Sequence, residues 1–438
     1  MTVDIHIWAE LSERAQRRLL CRPALQPDAD LNAAVADIAA QVRDRGDAAV
    51  RKMTQEFDGV ELESSRVERR EFTQARESVS AAAARALDVA IENVSVFHQA
   101  QYPQDLDIST APGVRCQRIA QPIDSVGLYV PAGSAPLPSA AVMLAVPAAI
   151  AGCPLRVLCT PPRPDSRADP SVLLVAERCG IQQVYKIGGA QAIAAMAYGT
   201  ESIPAVNKIF GPGNSWVTAA KKLVGADAGA CSTDMPAGPS EVLVIADDSA
   251  EAKFVAADLL SQAEHGVDSQ AILLSTCANL VQQVLLELQQ QLESLTRQNI
   301  AGQALAHARF IVADDLQRAI DISNVYAPEH LILHIRAPRA ALSQVRNAGS
   351  VFLGPWSPES AGDYCSGTNH VLPTCGAARS YSGLSVEQFM RYMTVQELTP
   401  DGLAALAPTI VELAELEGLD AHARSVNVRM GATTEMSA

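Results

Sequence analysis

SVGLYV, at residues 125–130, is a short apolar run that ends in the loop PAGSAP at residues 131–136. A run of this length bounded by turn residues is typical of a strand buried on both faces. Helices and strands alternate after it, with helices predicted up to residue 151, at 170–179, at 190–198 and from 215, and strands at 155–159, 184–187 and 208–210. This alternation indicates a parallel sheet with helices on both faces.

A second array of the same kind follows the loop at residues 234–240. Strands are predicted at 241–245, 271–274, 310–312, 331–335 and 351–353, with helices at 251–264, 280–295, 316–325 and 339–345. The chain before residue 100 is predicted to be helical, mainly at 31–50 and 78–98, where Gly46 is expected to end the first helix. The chain from Val386 onward is also predicted to be helical, without strands.

We therefore predict an α/β fold, with two Rossmann-like parallel-sheet domains flanked by helical N- and C-terminal segments. The predicted divisions are an N-terminal helical segment at 1–30, a discontinuous first α/β domain at 31–124 and 237–375, a second α/β domain at 125–236, and a helical tail at 376–438.

Composition narrows the class of function. The net charge of −15 and an aromatic content of 4% disfavour binding to nucleic acid or to anionic lipid. The longest apolar run, residues 140–153, contains Pro147 and is too short to span a bilayer, and the first residues lack the apolar core of a signal peptide. Nine scattered cysteines without CxxC spacing favour a reduced, cytoplasmic location.

Two glycine turns join a predicted strand to a predicted helix, IGGAQ at 187–191 and FGPGN at 210–214. Backbone N–H groups at the start of a helix bind phosphate well, so either turn could hold a nucleotide. Glycine is also common in tight turns for conformational reasons alone, and the pattern by itself leaves both interpretations open.

Short polar segments in the second half hold four of the eight histidines, each beside a carboxylate or an amide. They are SQAEHG (261–266), APEH (327–330), SAGDY (360–364), GTNH (367–370) and EGLDAH (417–422). Neutral imidazoles and anionic oxygens are what a zinc site needs, and also what a proton-transfer site needs.

Taken singly, the segments have simpler explanations. Gln262 and His265 share a helix face that could equally be a helix C-terminus, and the adjacent Glu329 and His330 could be a solvated strand end. Asp363 and His370 follow a strand, and loops at the carboxyl ends of parallel strands often carry ligands. The segment at 417–422 could be part of a surface helix.

Together, these ordered segments resemble the histidinol dehydrogenases along nearly the whole chain. The resemblance is carried by GGAQAIA (188–194), IFGPGN (209–214), residues 234–241, LLSQAEHG (259–266), and Gly362-Asp363 with GTNHVLP (367–373). It implies oxidation of L-histidinol to L-histidine through L-histidinal with two NAD+, the last step of histidine biosynthesis. It also implies a homodimer in which the tail of each chain crosses to the partner and completes the partner's site.

The resemblance further implies a set of site residues. Zinc ligands would be Gln262, His265, Asp363 and His422. Substrate contacts would be the same four residues with Ser240, His330, His370 and Glu417, and NAD contacts would be Tyr129, Gln191 and Asn214. His330 would remove the alcohol proton and Glu329 would activate the water that attacks the aldehyde.

Two alternatives stay open, a related zinc- and NAD-dependent dehydrogenase of another small polar alcohol, and a metal-dependent hydrolase of a small polar substrate. The segment from Glu417 to His422 favours an amine-bearing substrate over another alcohol, because a carboxylate suits an ammonium group. One departure from the family pattern is Ala132, where glycine is usual, and alanine would be strained if that position required positive φ.

Overall fold

The computed structural model describes residues 4–22, 29–132, 136–236 and 238–436. The strands are β1 (Ile5–Ile7), β2 (Leu106–Ala111), β3 (Val114–Pro122), β4 (Ser125–Tyr129), β5 (Leu155–Thr160), β6 (Gln183–Lys186), β7 (Lys208–Phe210), β8 (Ser232–Thr233), β9 (Glu241–Ala246), β10 (Gln270–Ser275), β11 (Arg309–Val312), β12 (His330–His334), β13 (Ser350–Leu353) and β14 (Met390–Leu398). Each strand predicted from the sequence is present, within two residues of its predicted limits.

The helices are α1 (Glu13–Leu19), α2 (Ala29–Asp58), α3 (Arg69–Ser78), α4 (Ala81–Gln99), α5 (Pro138–Ile150), α6 (Pro170–Arg178), α7 (Gly189–Tyr198), α8 (Ser215–Ala226), α9 (Ala252–Ala263), α10 (Ala278–Leu292), α11 (Gln298–Leu305), α12 (Leu316–Tyr326), α13 (Pro338–Ala341), α14 (Glu359–Tyr364), α15 (Pro400–Leu416) and α16 (Asp420–Met436). Short 3-10 helices lie at Trp8–Glu10, Leu342–Gln344, Ala377–Arg379 and Val386–Phe389. None of the described helices is both long and apolar enough to cross a membrane.

Two parallel sheets form the body of the larger of two compact units, residues 1–101 with 123–389. The five-stranded sheet has the order β6-β5-β4-β7-β8, and the six-stranded sheet has the order β1-β11-β10-β9-β12-β13. The predicted mixed α/β fold with parallel sheets is confirmed. In both sheets the first long strand is central and the strand order reverses beside it, between β4 and β7 and between β9 and β12.

Aliphatic side chains hold each sheet between its helices. All six residues of β9 are buried, and so are all six of β10. Full burial of one such side chain contributes about 1.5–3 kcal/mol, which explains why these strands lack the apolar-polar alternation of a half-exposed sheet.

Helix α2 packs against α7 and α8, on the five-stranded sheet. The sequence analysis grouped residues 31–124 with the other sheet, and for this helix the grouping is wrong because chain order does not reveal which face a helix will cover. Gly46 breaks α2 as predicted, with φ of +50°. The N-terminal segment, predicted to be helical, contributes β1, which pairs with β11 at the edge of the six-stranded sheet.

The smaller unit comprises residues 102–122 and 390–438. It contains an antiparallel sheet of order β14-β3-β2 with helices α15 and α16. The prediction of an all-helical chain after residue 386 is wrong for Met390–Leu398, which is strand β14. Most residues of this strand are exposed, so burial imposes no apolar pattern from which a strand could have been predicted.

Candidate active site

A cavity of about 830 Å³ opens among the loops of the two parallel sheets in the larger unit. Nine residues of the predicted site line it: Tyr129, Gln191, Asn214, Ser240, His265, Glu329, His330, Asp363 and His370. These residues are spread over 242 positions of sequence, from 129 to 370 counted inclusively. A cavity that gathers several titratable groups is the usual location of an active site.

The two sheets present opposite ends to this cavity. The five-stranded sheet contributes the loops that follow β4, β6 and β7, at its carboxyl edge. The six-stranded sheet contributes residues that precede β9, β10 and β12, at its amino edge. Asp363 follows β13 in sequence but lies beside the start of β12, with its Oδ1 3.7 Å from His330 Nε2. The predicted position at the carboxyl ends of the strands is therefore wrong for Asp363.

Glycine turns shape the carboxyl edge of the five-stranded sheet. The Gly189 N–H, in a residue with φ of +65°, donates to the Tyr129 hydroxyl at 3.0 Å. A Cβ atom on Gly211, at φ of +128°, would lie 2.2 Å from the Tyr129 carbonyl oxygen. Asn214 caps α8 by accepting from the Val217 N–H at 3.2 Å. Both turns precede the N-terminus of a helix, which is the arrangement that favours a bound phosphate.

Ala132 follows β4 in this region and lines the cavity. It does not adopt positive φ, and it forms an antiparallel bridge with Pro136. The strain considered for alanine at this position is therefore absent.

Glu329 and His330 are buried at the amino edge of the six-stranded sheet. Glu329 Oε2 accepts from the Ser240 hydroxyl and from the Glu241 N–H, each at 2.8 Å. His330 Nδ1 lies 3.1 Å from the Glu241 carbonyl oxygen, so Nδ1 carries the proton that it donates. This tautomer leaves His330 Nε2 unprotonated, and Nε2 has no hydrogen-bond partner among the described residues.

Burial controls protonation in this part of the cavity. It lowers the pKa of His330 to about 3 and also lowers the pKa of His370, so both imidazoles are neutral near pH 7. It raises the pKa of Glu329 well above its ordinary value and that of Asp363 to about 6. His370 Nδ1 donates to the Asp363 carbonyl at 2.7 Å, which leaves His370 Nε2 unprotonated as well.

A group of potential metal ligands lies beside His330. His265, Glu359 and Asp363 each offer a ligand atom, and these atoms lie within 4.8 Å of one another. Gln262, one helical turn before His265, is completely buried, and neither of its amide atoms has a hydrogen-bond partner among the described residues. An unsatisfied buried polar group lowers the stability of the fold by about 1–3 kcal/mol. The Gln262 amide is therefore a candidate for binding a ligand that satisfies it.

The sequence analysis did not single out Glu359, Asp258 or Asp58. Glu359 is buried with neither carboxylate oxygen hydrogen-bonded, burial raises its pKa, and its Oε1 lies 3.4 Å from His330 Nδ1. Burial also raises the pKa of Asp258 to about 7 and that of Asp58, which lines the cavity, to about 6. A signal existed for two of them, since Glu359 and Asp258 lie four residues before the predicted ligands Asp363 and Gln262.

Glu417 and His422, predicted from the resemblance, belong to the smaller unit. Glu417 follows α15, His422 is in the first turn of α16, and both are exposed. Their predicted contributions to a metal and substrate site stay predictions.

The chain is similar to proteins of known activity. The family model described as histidinol dehydrogenase matches residues 22–430. The chain is 53% identical over 429 residues to the histidinol dehydrogenase of Vibrio parahaemolyticus, covering 98% of this chain and 99% of that protein. It is 55% identical over 424 residues to that of Xanthomonas oryzae pv. oryzae, covering 97% and 98%. The crystal structure of histidinol dehydrogenase from Elizabethkingia anophelis superposes with a TM-score of 0.94, at 45% identity and 99% coverage of both chains.

Proposed function

The chain belongs to the histidinol dehydrogenase family, and from that premise we propose that it oxidises L-histidinol to L-histidine through L-histidinal, using two NAD+ and one zinc ion per site. The observation that supports this proposal best is the cavity itself, where a neutral imidazole base and a buried carboxylate lie beside a group of metal ligands. Oxidation of an alcohol to a carboxylate needs a base at each of two stages, and this site offers two neighbouring candidates.

Zinc fits the residues that are present. We assign it to Gln262, His265 and Asp363, with His422 supplied by the partner subunit. The unsatisfied amide of Gln262 and the clustered carboxylates favour a divalent cation, and a mixed nitrogen and oxygen ligand set suits zinc. Zinc would act as a Lewis acid that anchors and orients the amine and imidazole of the substrate.

NAD+ is assigned to the carboxyl edge of the five-stranded sheet, where Tyr129, Gln191 and Asn214 line the cavity. When bound, NAD+ supplies the hydride acceptor for each oxidation. The two glycine turns and the N-termini of α7 and α8 are the groups expected to receive its phosphates. These groups and His330 line one continuous cavity, which supports a nucleotide position opposite His330.

His330 is the proposed base of the first oxidation. Its bond to the Glu241 carbonyl fixes the proton on Nδ1, and its lowered pKa leaves Nε2 unprotonated at neutral pH, with its lone pair available to the alcohol proton. Once protonated, the ring would lie near three carboxyl groups, Glu359 at 3.4 Å, Glu329 at 3.6 Å and Asp363 at 3.7 Å. An ionised carboxylate at any of these positions stabilises the imidazolium during proton transfer.

Glu329 is the proposed base of the second oxidation. Ser240 and the Glu241 N–H both bind its Oε2, which orients the carboxylate and leaves Oε1 as the oxygen that takes a proton from water. The activated water then attacks the aldehyde carbon. Burial raises the pKa of Glu329, which brings a carboxylate closer to the range in which it is an effective base at neutral pH.

A homodimer with shared sites is also proposed. The smaller unit exposes many large apolar side chains: Leu106, Ile108, Tyr392, Met393, Leu398, Leu413, Leu416, Leu419 and Val428. Exposed apolar surface on this scale is typical of a protein interface, and a second copy would bring Glu417 and His422 to the partner's cavity. The nine cysteines are all free, which supports the proposed cytoplasmic location.

The reaction is tested by measuring NADH formed per histidinol consumed, with zinc added or chelated. Two NADH per histidinol, lost on chelation and restored by zinc, is the expected result. NADH formation from another small polar alcohol but not from histidinol would favour the related dehydrogenase, and hydrolysis without NADH would favour the hydrolase.

Shared sites are tested by mixing two inactive proteins, His330→Asn and His422→Asn, under conditions of subunit exchange. One site of the mixed dimer then holds only intact residues, and some activity should return. No recovery, despite exchange shown by mass spectrometry of tagged subunits, would mean that each chain builds its own site.

A further inference from the structure

Both proposed bases, Glu329 and His330, form hydrogen bonds with the backbone of Glu241, the first residue of β9. Its N–H donates to Glu329 Oε2 at 2.8 Å, and its carbonyl accepts from His330 Nδ1 at 3.1 Å. The position of this one peptide segment therefore sets the orientation of the Glu329 carboxylate and the tautomer of the His330 imidazole.

The side chain of Glu241 forms an ion pair with Arg22. Arg22 Nε and Nη2 approach the two carboxylate oxygens at 2.5 and 2.8 Å, which is a bidentate ion pair. The two side chains are only 6% and 1% exposed. The Cys375 N–H adds a third bond to Glu241 Oε1, at 3.0 Å.

Arg22 also contacts Tyr326, at the end of α12, just before the connection that leads to Glu329 and His330. Its Nη2 donates to the Tyr326 carbonyl at 2.9 Å, and its guanidinium lies 3.7 Å from the centre of the Tyr326 ring. Ala327 follows in the left-handed region, at φ of +54°, and two residues later the chain reaches Glu329. One guanidinium thus ties the start of β9 to the connection between α12 and β12.

We propose that Arg22 and Glu241 are a positioning pair, which fixes the peptide segment that orients Glu329 and His330 for proton transfer. The inference rests on the proposed function in taking those two residues as the bases. A buried ion pair is weak evidence for stability, because well-packed apolar residues often replace one at no cost. Its value here is geometric, since an error of about 1 Å in a catalytic group can cost about 10²-fold in rate.

The test uses the double variant Arg22→Met/Glu241→Gln in the full-length, zinc-loaded protein. Removing both partners avoids an unpaired buried charge, so this variant is expected to fold where Arg22→Met alone could fail. The expected result is a kcat lowered about 10- to 10²-fold, with KM for NAD+ unchanged because the NAD+ contacts lie on the other sheet.

A matched control removes another buried ion pair. Lys186 and Glu71 are 2.9 Å apart, with side chains 10% and 7% exposed, and neither lines the cavity. Lys186→Met/Glu71→Gln should change the melting temperature but not kcat per folded molecule. Equal losses of kcat in the two double variants, or none in the first, would overturn the positioning role.

A second measurement does not depend on activity. NMR of protein labelled at histidine ring nitrogens, with His330 assigned from the His330→Asn variant, reports the His330 tautomer. The intact protein should hold the proton on Nδ1, and Arg22→Met/Glu241→Gln should show a mixture of tautomers. An unchanged tautomer would overturn the inference, whereas absence of histidinol oxidation by the intact protein would overturn only the proposed function.

Discussion

The two parallel sheets line the same cavity, but with opposite ends of their strands. The five-stranded sheet presents its carboxyl edge, with glycine turns and the N-termini of α7 and α8. The six-stranded sheet presents its amino edge, with Ser240, Glu329 and His330 just before or at the start of β9 and β12. Binding of ligands at the carboxyl edge is the rule for open α/β sheets, and the second sheet departs from it.

The difference follows from what each edge can offer. Backbone N–H groups converge at the carboxyl edge, where they can receive phosphates without any particular side chain. The amino edge offers side chains that enter buried strands, and burial shifts their pKa values, as His330 and Glu329 show. We infer that the carboxyl edge of one sheet binds the cofactor, whereas the amino edge of the other carries the chemistry.

The largest expected effect is at the amino edge. His330→Asn should lower kcat for histidinol oxidation by about 10²–10⁴-fold, because it removes the proposed base of the first step. KM for NAD+ should stay within about twofold of its value in the unaltered protein if NAD+ binds only at the carboxyl edge of the other sheet, as inferred. His334→Asn, at the other end of β12, is the control and should leave kcat unchanged. A large rise in KM for NAD+ in His330→Asn would contradict the division.

Loss of the metal is the next effect in size. Gln262→Ala and His265→Asn should each weaken zinc binding by at least about 10²-fold, more than the 10–100-fold typical of residues that only support a ligand. Zinc content by mass spectrometry, with activity on the same samples, measures both losses. Full zinc occupancy in either variant would remove that residue from the ligand set.

Glu329→Gln separates the two oxidations. It should slow the conversion of histidinal to histidine about 10²-fold while affecting the oxidation of histidinol far less, since only the second step requires activated water. Stopped-flow measurement of NADH with each substrate gives both rates. Equal slowing of both steps would instead indicate that Glu329 orients His330. Glu329 Oε2 lies 3.6 Å from His330 Nδ1.

Substitutions at the carboxyl edge of the five-stranded sheet should have weaker effects, and those effects should appear in KM for NAD+ and not in kcat. Tyr129→Phe removes the acceptor of the Gly189 N–H, a bond whose net contribution of about 1 kcal/mol corresponds to a several-fold rise in KM for NAD+. Tyr185→Phe, on β6 but outside the cavity, is the matched control. A fall in kcat without a change in KM for NAD+ would place Tyr129 in the chemistry instead.

The strands and most of the site residues could be predicted from the sequence, but the way the two sheets face the cavity could not. The strands were evident because buried apolar runs such as residues 241–246 admit few other structures. The site residues came from family resemblance, since no spacing in the chain brings Tyr129 to His330. Sequence alone did not reveal which edge of each sheet faces the cavity, because side-chain packing between helices decides that. Glu359 was missed because an acid in a short loop helix is usually exposed.

The last expected effect is on stability, and it tests whether acids buried near the metal group depend on a cation. Burial raises the pKa of Asp258 to about 7 in the folded protein, from an ordinary value near 4. A raised carboxyl pKa stabilises the fold below the unfolded value, and that contribution is lost as pH rises through about 7. Zinc-free protein should therefore lose stability between pH 5 and pH 8, on the order of 2 kcal/mol from this group.

Asp258→Asn should flatten that decline without abolishing zinc binding, because Asp258 is not an assigned ligand. Asp247→Asn, just beyond the carboxyl end of β9, is the control. Although partial burial raises the pKa of Asp247, N–H bonds from Arg336 and Ser249 leave it lowered, so its contribution is lost only in acid below this range. Urea unfolding of zinc-free protein at several pH values measures the slopes. A decline as steep in Asp258→Asn as in the unaltered protein would mean that Asp258 contributes nothing to it, and that the buried carboxyl groups of Glu329 and Glu359, whose pKa values burial also raises, account for it.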